Sequence, residues 1–338
     1  MALEPSDFAS SEQSGPGDAV TAWLLDADPA IRWQVMRDLL HAPTDVVAAE
    51  RARVSTEGWG ARLLSLQAPD GTWAGAAFGT RWTCTFDTLW LLRELGPDPA
   101  DERVRRAIAL VRDAVTWGPE FDDSPFFEGE VEPCINGRTL AIGAAFGVAS
   151  DRLVERLLGE QLADGGWNCE APPSTRASFH TTICVLEGLL GYEVAKGPTP
   201  AVAEARLRGQ EYLLERRLFR SRSTGAVINP SWTLISFPTH YYYDILWGLD
   251  YLRRAGAEPD ARIVEAVALV ASKRTPDGRW PLENPHHGES YIEMDDGEGR
   301  PSRWNTLRAL RVLDWAQGLA PADGWPPPVP ASLSGLGS

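Results

Sequence analysis

The sequence lacks an excess of positive charge, a long apolar run and a disulfide-like cysteine pattern. Its 338 residues include 32 Lys and Arg against 47 Asp and Glu, which gives a formal net charge of −15 at pH 7. This balance disfavours partners such as nucleic acid or an anionic membrane surface, because both require a basic patch. The apolar runs are too short for a transmembrane segment.

Cysteine is scarce, with four residues and no paired spacing. The first residues show no charged-then-apolar signal pattern, so we expect a cytoplasmic protein whose thiols are free or bind metal. Residues 1–17 are rich in Ser, Glu, Gly and Pro and are expected to be disordered. Residues 321–338 form a Pro- and Gly-rich tail that is unsuited to a helix. Residues 18–320 are therefore predicted to form one domain.

Helical patterns are abundant and recur roughly every 50 to 60 residues, a period typical of arrays of helical pairs. In each unit a charged amphipathic segment precedes a more apolar, aromatic one, as expected for an outer and an inner helix. We predict an all-α fold, an (α/α)6 barrel or toroid of six inner and six outer helices. The outer segments include Asp101–Val115, Ser150–Gln161, Ala201–Leu218 and Ala261–Lys273. The inner segments are Ile31–Leu40, Trp82–Leu95, Cys134–Phe146, Phe179–Leu190, Tyr241–Leu252 and Trp304–Leu313.

Loop lengths indicate which face of this barrel is functional. Links from inner to outer helices are short turns, whereas the links that lead into the inner helices are long. Long loops gathered on one face usually carry binding and catalytic residues. We therefore expect the site at the N-terminal ends of the inner helices.

Potential metal ligands share one register at these ends. Thr83, Cys134, His180 and His240 each stand six residues before the leading Leu of their segment, namely Leu89, Leu140, Leu186 and Leu246. Residue types alone favour buried thiols and polar residues at the barrel mouth, since buried free cysteine is common. The shared register adds a second interpretation, a zinc site. Cys84 and Cys184 have apolar neighbours and are expected in the core.

Three predicted outer helices end in a common motif. It runs from Gln67 to Trp73, from Gln161 to Trp167 and, with Lys in place of Gln, from Lys273 to Trp280, with a Gly before each Trp. The motif resembles the Q-W repeat of the squalene–hopene cyclase and protein prenyltransferase superfamily. This resemblance implies an α/α barrel, and it is much less specific for a reaction.

A second resemblance concerns zinc. Glu132-Pro133-Cys134 resembles the Asp-x-Cys zinc motif of protein prenyltransferase β subunits, with Glu in place of Asp, and the segment around His180 resembles their later His element. Cys169, just ahead of His180, is a further potential ligand. The resemblance implies Zn²⁺ held by Cys134, Cys169 and His180, with His240 or Glu132 as a possible fourth ligand. The separate α subunit of those enzymes is not part of this chain, so the resemblance does not extend to a CaaX-protein substrate.

The acidic motifs of known cyclases are incomplete. Glu293-Met294-Asp295-Asp296 has the wrong first residue for the D-x-D-D acid of hopene-type cyclases, and Asp122-Asp123 lacks the final acid of the D-D-x-x-D motif. The usual residues for protonation or for diphosphate ionisation are thus missing.

We predict a zinc-dependent enzyme that acts on an apolar, isoprenoid-like small molecule by cyclisation, isomerisation or alkyl transfer. A non-catalytic barrel, with a closed zinc site and a bound lipid or a partner protein at the loop-rich mouth, is the alternative. His286 and His287 are expected at the surface. The candidate catalytic residues are His240, Tyr242 and Glu132. The candidate substrate-binding residues are Trp82, Asp87, Arg138, Phe179, Tyr241 and Trp304.

Overall fold

A computed structural model describes residues 16–79 and 81–317 of the protein, with side chains from residue 19 onward. The predictions for residues 1–15 and for the 321–338 tail lie outside these residues. The first helix begins at Pro16, inside the segment expected to be disordered.

Helices dominate the described residues, so the all-α prediction is confirmed. In chain order they are α1 Pro16–Leu25, α2 Pro29–Asp38, α3 Thr44–Ala52, α4 Gly58–Ser65, α5 Thr85–Leu95, α6 Glu102–Ala114, α7 Pro133–Ala145, α8 Asp151–Gly159, α9 Phe179–Lys196, α10 Pro200–Leu214, α11 Ile245–Arg254, α12 Val264–Ser272 and α13 Arg303–Trp315. Two short strands, β1 Trp280–Pro281 and β2 Pro301–Ser302, pair antiparallel. A search of the described helices finds none that is both long and apolar enough to cross a membrane.

Six of these helices contact one another in a cyclic order. α5 packs on α7, α7 on α9, α11 on α13 and α13 on α2. The indole of Trp33 in α2 donates to the carbonyl of Leu95 in α5 at 3.0 Å, and the indole of Trp247 in α11 donates to the carboxylate of Glu187 in α9 at 2.9 Å. The series α2, α5, α7, α9, α11 and α13 therefore returns to its first helix, and the complete (α/α)6 barrel stays a prediction.

The residues of the repeated motif link each outer helix to the turn that follows it and, through Gln67 and Gln161, to the next outer helix. Trp73, Trp167 and Trp280 are fully buried, and each indole donates to a carbonyl ten residues earlier in α4, α8 or α12. The amides of Gln67 and Gln161 each donate to one carbonyl of their own turn and one of the next outer helix. The sequence motif is thus a joint between helices, formed by side-chain donors and backbone acceptors.

Local capping explains where the helices that form the site begin. Ser178 accepts from the N–H of Thr181 and starts α9, while Pro133 occupies the first position of α7, where its missing N–H costs nothing. Asp244 accepts from the N–H of Trp247 at 2.7 Å and starts α11 at Ile245. The prediction that this inner helix begins at Tyr241 was therefore wrong by four residues, because the Asp244 cap was overlooked.

Candidate functional site

A cavity of about 600 Å³ opens at the N-terminal ends of α5 and α7. Aromatic, thiol and charged side chains share its wall, a composition typical of small-molecule sites. Seven of the twelve predicted site residues line it: Trp82, Asp87, Glu132, Cys134, Arg138, Tyr241 and Tyr242. Phe78, Gly79, Ile135 and His287 complete the wall.

Three possible metal ligands converge at this wall. One ligand atom from each of Glu132, Cys134 and Cys169 lies within 4.8 Å of the other two. Glu132 is the residue before α7 and Cys134 is its second residue, whereas Cys169 comes from the long loop that leads into α9. The helix start and the loop together place two sulfurs and a carboxylate at one point.

The two thiols differ in acidity because they share a hydrogen bond. The bond to Cys169, followed by burial, raises the pKa of Cys134. The same bond lowers the pKa of Cys169 and outweighs the effect of burial, with help from the Thr181 hydroxyl 3.3 Å from its sulfur. Cys169 is therefore the more readily ionised thiol, and Cys134 retains the shared proton.

His180 stands at the same helix position as Cys134, since each is the second residue of its helix. It is nevertheless outside the three-residue group found among the described residues. Its Nδ1 lies 3.1 Å from the carbonyl oxygen of Tyr241 and 2.9 Å from the backbone nitrogen of Tyr243. Burial lowers the pKa of the His180 imidazole. Its role as a zinc ligand stays a prediction.

His240 lies in the turn before α11, with a positive φ of 48°. Its Nδ1 is 3.8 Å from a carboxylate oxygen of Asp87, and its ring stacks on Trp82 with centroids 3.8 Å apart. Burial lowers the pKa of His240, and the nearby Asp87 carboxylate opposes this effect only in part. The neutral imidazole is therefore favoured, and it can accept a proton.

Asp87 is the centre of a buried polar group next to His240. Arg138 lies 3.3 Å from its Oδ1, and the Cys84 thiol donates to its Oδ2 at 3.2 Å. Burial acts to raise the pKa of Asp87, but His240 and Arg138 outweigh it and lower the pKa. Asp87 is thus a carboxylate near neutral pH. Burial raises the pKa of Cys84 to about 12, which keeps this thiol protonated as a donor.

The histidine missed by the sequence analysis is His286. It is half-buried and stacks on Tyr242 with centroids 4.2 Å apart, and its ring lies 6.2 Å from that of His240. Burial, followed by electrostatic interaction with the His240 imidazole, lowers the pKa of His286 to about 4. The expected surface position is wrong for His286 and right for the exposed His287. No sequence signal marked it, because its loop has no helical register.

Two candidate substrate-binding residues lie away from the cavity wall. Phe179 is 3% exposed and packs against the rings of Tyr212, Trp232 and Tyr243. Trp304 is 2% exposed and stacks on Phe237 with centroids 4.3 Å apart. Neither ring is part of the cavity wall, and a substrate-binding role for the two residues stays a prediction.

Neither the protein-family models nor the curated proteins include a match to this chain. Among solved structures, the chain is similar to the type II terpene cyclase MstE from Scytonema. A ligand-free variant of MstE is 18% identical with a TM-score of 0.45, and covers 90% of this chain and 97% of its own. MstE without ligand is 17% identical with a TM-score of 0.44, and the match covers 90% of this chain and 98% of MstE. A variant of MstE in complex with the substrate geranylgeranyl dihydroxybenzoate is 16% identical with a TM-score of 0.44, and the match covers 90% of this chain and 97% of the variant. This degree of similarity assigns neither a reaction nor a ligand to the present chain.

Proposed function

We propose that the protein is an enzyme that cyclises or isomerises an apolar, isoprenoid-like small molecule in the cavity, and that Glu132, Cys134 and Cys169 hold a zinc ion at its wall. The observation that carries this proposal is the convergence of two sulfurs and a carboxylate beside an aromatic cavity. Three protein ligands are typical of catalytic zinc sites, which keep one position open.

The donor set fits zinc in its chemistry. Cysteine sulfur is a preferred ligand of zinc, and Cys169 already has a lowered pKa that favours the thiolate form. The backbone N–H of Tyr243 donates to the Nδ1 of His180 at 2.9 Å, which places the proton of the neutral ring on Nε2, so His180 would have to give up this hydrogen bond or that proton to add a nitrogen ligand. A bound zinc ion would supply Lewis acidity toward a polar group of the substrate.

The aromatic residues of the wall suit an apolar substrate. Trp82 and Tyr241 line the cavity, and their faces can stabilise developing positive charge while they exclude water. The Tyr241 hydroxyl donates to that of Tyr242 at 2.9 Å, so the proton of Tyr242 is available to a ligand. Tyr242 is therefore assigned a donor role toward the substrate.

Proton transfer is assigned to His240. Its imidazole is held neutral by burial, and Asp87 lies on the Nδ1 side, where it can stabilise the imidazolium after a proton is accepted. The stack on Trp82 fixes the ring plane. A cyclisation that ends in loss of a proton, or an isomerisation that moves one, requires such a base.

The non-catalytic alternative is less well supported. A closed zinc site of Cys134, Cys169, His180 and His240 needs both imidazoles as ligands, yet His180 is outside the group of converging ligand atoms in the described residues. His240 is also outside the group of converging ligand atoms in the described residues. An open site with Glu132 as the third ligand accounts for the geometry better.

Metal analysis of the purified protein tests the proposal. We expect about one zinc per chain without added metal, and loss of this zinc in Cys134→Ala and Cys169→Ala. Cys184→Ala is the matched control, because Cys184 is a fully buried thiol outside the converging group, and it should retain the metal. Full zinc content in both test variants would refute the ligand assignment.

The reaction itself is tested by incubation with geranylgeraniol and farnesol, followed by mass-spectrometric analysis of the products. We expect a product of unchanged mass and altered retention, which chelation of the metal abolishes. A metal-loaded protein that converts none of a broad set of isoprenoids would contradict an enzymatic role.

A further inference from the structure

The deep part of the cavity holds a cationic side chain with an unused donor. Arg138 lines the cavity, and its side chain is 2% exposed. Its Nη2 donates to Asp87 at 3.3 Å, whereas its buried Nε has no hydrogen-bond partner within the described part of the chain. The Nε is enclosed by protein atoms, whereas the Nη1 is not enclosed and has no hydrogen-bond partner among the described residues, so a ligand oxygen would pair with Nη1.

The guanidinium is fixed by its neighbours. It lies over the rings of Phe86 and Trp90, at 4.4 and 4.5 Å from their centroids. Arg138 also follows Cys134 by four residues in α7, so both side chains lie on one helix face, about 6 Å apart along the axis. A ligand that contacts the metal-binding wall can therefore reach Arg138 as well.

The charges around the cavity are unsuited to a phosphate ester. The positive charge of Arg138 is already balanced by Asp87. A groove of about 560 Å³ adjoins the cavity through Phe78, Glu132 and Ile135. Among the described residues, the combined lining of the groove and the cavity contains no Arg or Lys besides Arg138. The acids of the groove are Asp70, Glu120, Glu130 and Glu132.

We propose that Arg138 is a ligand-binding residue that accommodates a neutral acceptor oxygen, such as that of a carbonyl, ester or ether, and that the site rejects phosphate esters. This inference rests on the proposed function, because it assumes that the cavity takes an isoprenoid-like chain. The inference specifies the polar group that the isoprenoid-like ligand carries. A neutral acceptor satisfies the free N–H of Arg138, whereas a diphosphate would meet the acidic groove with no Lys or Arg besides Arg138 in the described lining to balance it.

A series of farnesyl compounds with different head groups tests this. Farnesyl acetate, farnesene and farnesyl diphosphate share the chain and offer an acceptor, no polar group and a multiple anion, respectively. Binding is followed by quenching of tryptophan fluorescence, because Trp82 lines the cavity. We expect the acetate to bind about tenfold more tightly than farnesene, as for a hydrogen bond to a charged group. The diphosphate should bind at least tenfold more weakly than the acetate.

Two variants assign the preference to the guanidinium. Arg138→Met alone would leave Asp87 buried without its cation, so it is combined with Asp87→Asn. We expect the double variant to bind the acetate and farnesene equally. Asp87→Asn alone would leave Arg138 buried without its anion, so the control is Cys184→Ala, which keeps both Arg138 and Asp87 and should retain the preference for the acetate. If the double variant fails to fold, the three wild-type affinities still decide the question.

The outcomes separate this inference from the proposed function. Equal binding of the acetate and farnesene by the wild type, or tightest binding of the diphosphate, would overturn the role of Arg138 and leave the cavity as an isoprenoid site. Failure of all three compounds to bind would overturn both. Zinc content is measured separately and does not depend on these affinities.

Discussion

The two ends of the inner-helix ring differ in how their charges are paired. Toward the C-terminal end, the buried carboxylate of Glu187 receives Arg93 at 2.7 Å, Arg254 and the indole of Trp247. Burial would raise the pKa of Glu187, but Arg254 and Arg93 outweigh it and lower the pKa to about 2. At the N-terminal end, Cys134, His287 and Arg138 face a cavity, and the Nε of Arg138 has no hydrogen-bond partner in the described residues.

This difference separates stability from function within the same helices. A fully paired network, such as that of Glu187, holds adjacent helices and has no donor left for a ligand. Groups at a cavity that are only partly satisfied have capacity for a ligand or a metal ion. We therefore expect substitutions at one end to affect folding, and those at the other to affect turnover and metal binding.

The largest effect is expected at the cavity end, for His240→Ala. Loss of the proposed base should lower turnover by roughly 10²–10⁴-fold, because general-base catalysis contributes about that factor. Zinc content should stay near the wild-type level, since His240 is outside the converging ligands. Steady-state kinetics and metal analysis measure the two quantities. If His240→Ala loses both its zinc and its thermal stability, His240 is instead a metal ligand.

The second-largest effect is expected for a substitution in the paired network of Glu187. Glu187→Ala leaves Arg93 and Arg254 without their shared carboxylate, so the free energy of unfolding should fall by about 3–5 kcal/mol. Glu102→Ala is the control, because the Glu102–Arg106 pair is exposed and its removal should cost less than about 1 kcal/mol. Denaturant titrations measure both. If the free energy of unfolding falls equally in the two variants, the Glu187 network has no special role in stability.

The pH dependence of stability should separate the ends as well. The folded pKa of His286 is about 4, below its ordinary 6.5, so its contribution to stability is present above pH 6.5 and is lost as pH falls toward 4. Glu187 has a folded pKa of about 2 against an ordinary 4.5, and its contribution is lost between these values. Denaturant titrations over a pH series should show both declines. In His286→Phe the decline between pH 6.5 and 4 should be smaller, and an unchanged curve would contradict this account.

The smallest effect is expected for Trp82→Phe. The phenyl ring can still stack on His240, but it loses the indole donation to the carbonyl of His286 at 3.2 Å. The free energy of unfolding should fall by about 0.5–1.5 kcal/mol, the usual net value of one hydrogen bond. Thermal or denaturant unfolding measures it. A loss of several kcal/mol would show that Trp82 has a larger structural role.

Parts of the fold that depend on local pattern could be predicted from the sequence. The alternation of charged and apolar segments gave the order of outer and inner helices, and the Gln-to-Trp motif marked the joints at Trp73, Trp167 and Trp280. The start of α11 was missed, because the Asp244 cap ends an apparent helical pattern that runs through Tyr241. Helix caps decide such boundaries, and periodicity alone does not show them.

The site was predictable where its residues stand at helix starts. Cys134 follows from the helix register, whereas its contact with Cys169 depends on the path of a loop. The position of His286 against Tyr242 depends on another long loop, and no spacing in the sequence encodes it. Aromatic residue type also could not distinguish Trp82 at the wall from Trp304 away from it, because Trp82 lies just before an inner helix and Trp304 lies at the start of one.

X-ray absorption spectroscopy at the zinc edge of the purified protein tests the central claim most directly. The account predicts two sulfur ligands at about 2.3 Å, with oxygen or nitrogen ligands at about 2.0–2.2 Å. Cys169→Ser should reduce the sulfur number to one. A zinc ion without sulfur ligands, or a spectrum unchanged in Cys169→Ser, would contradict the account.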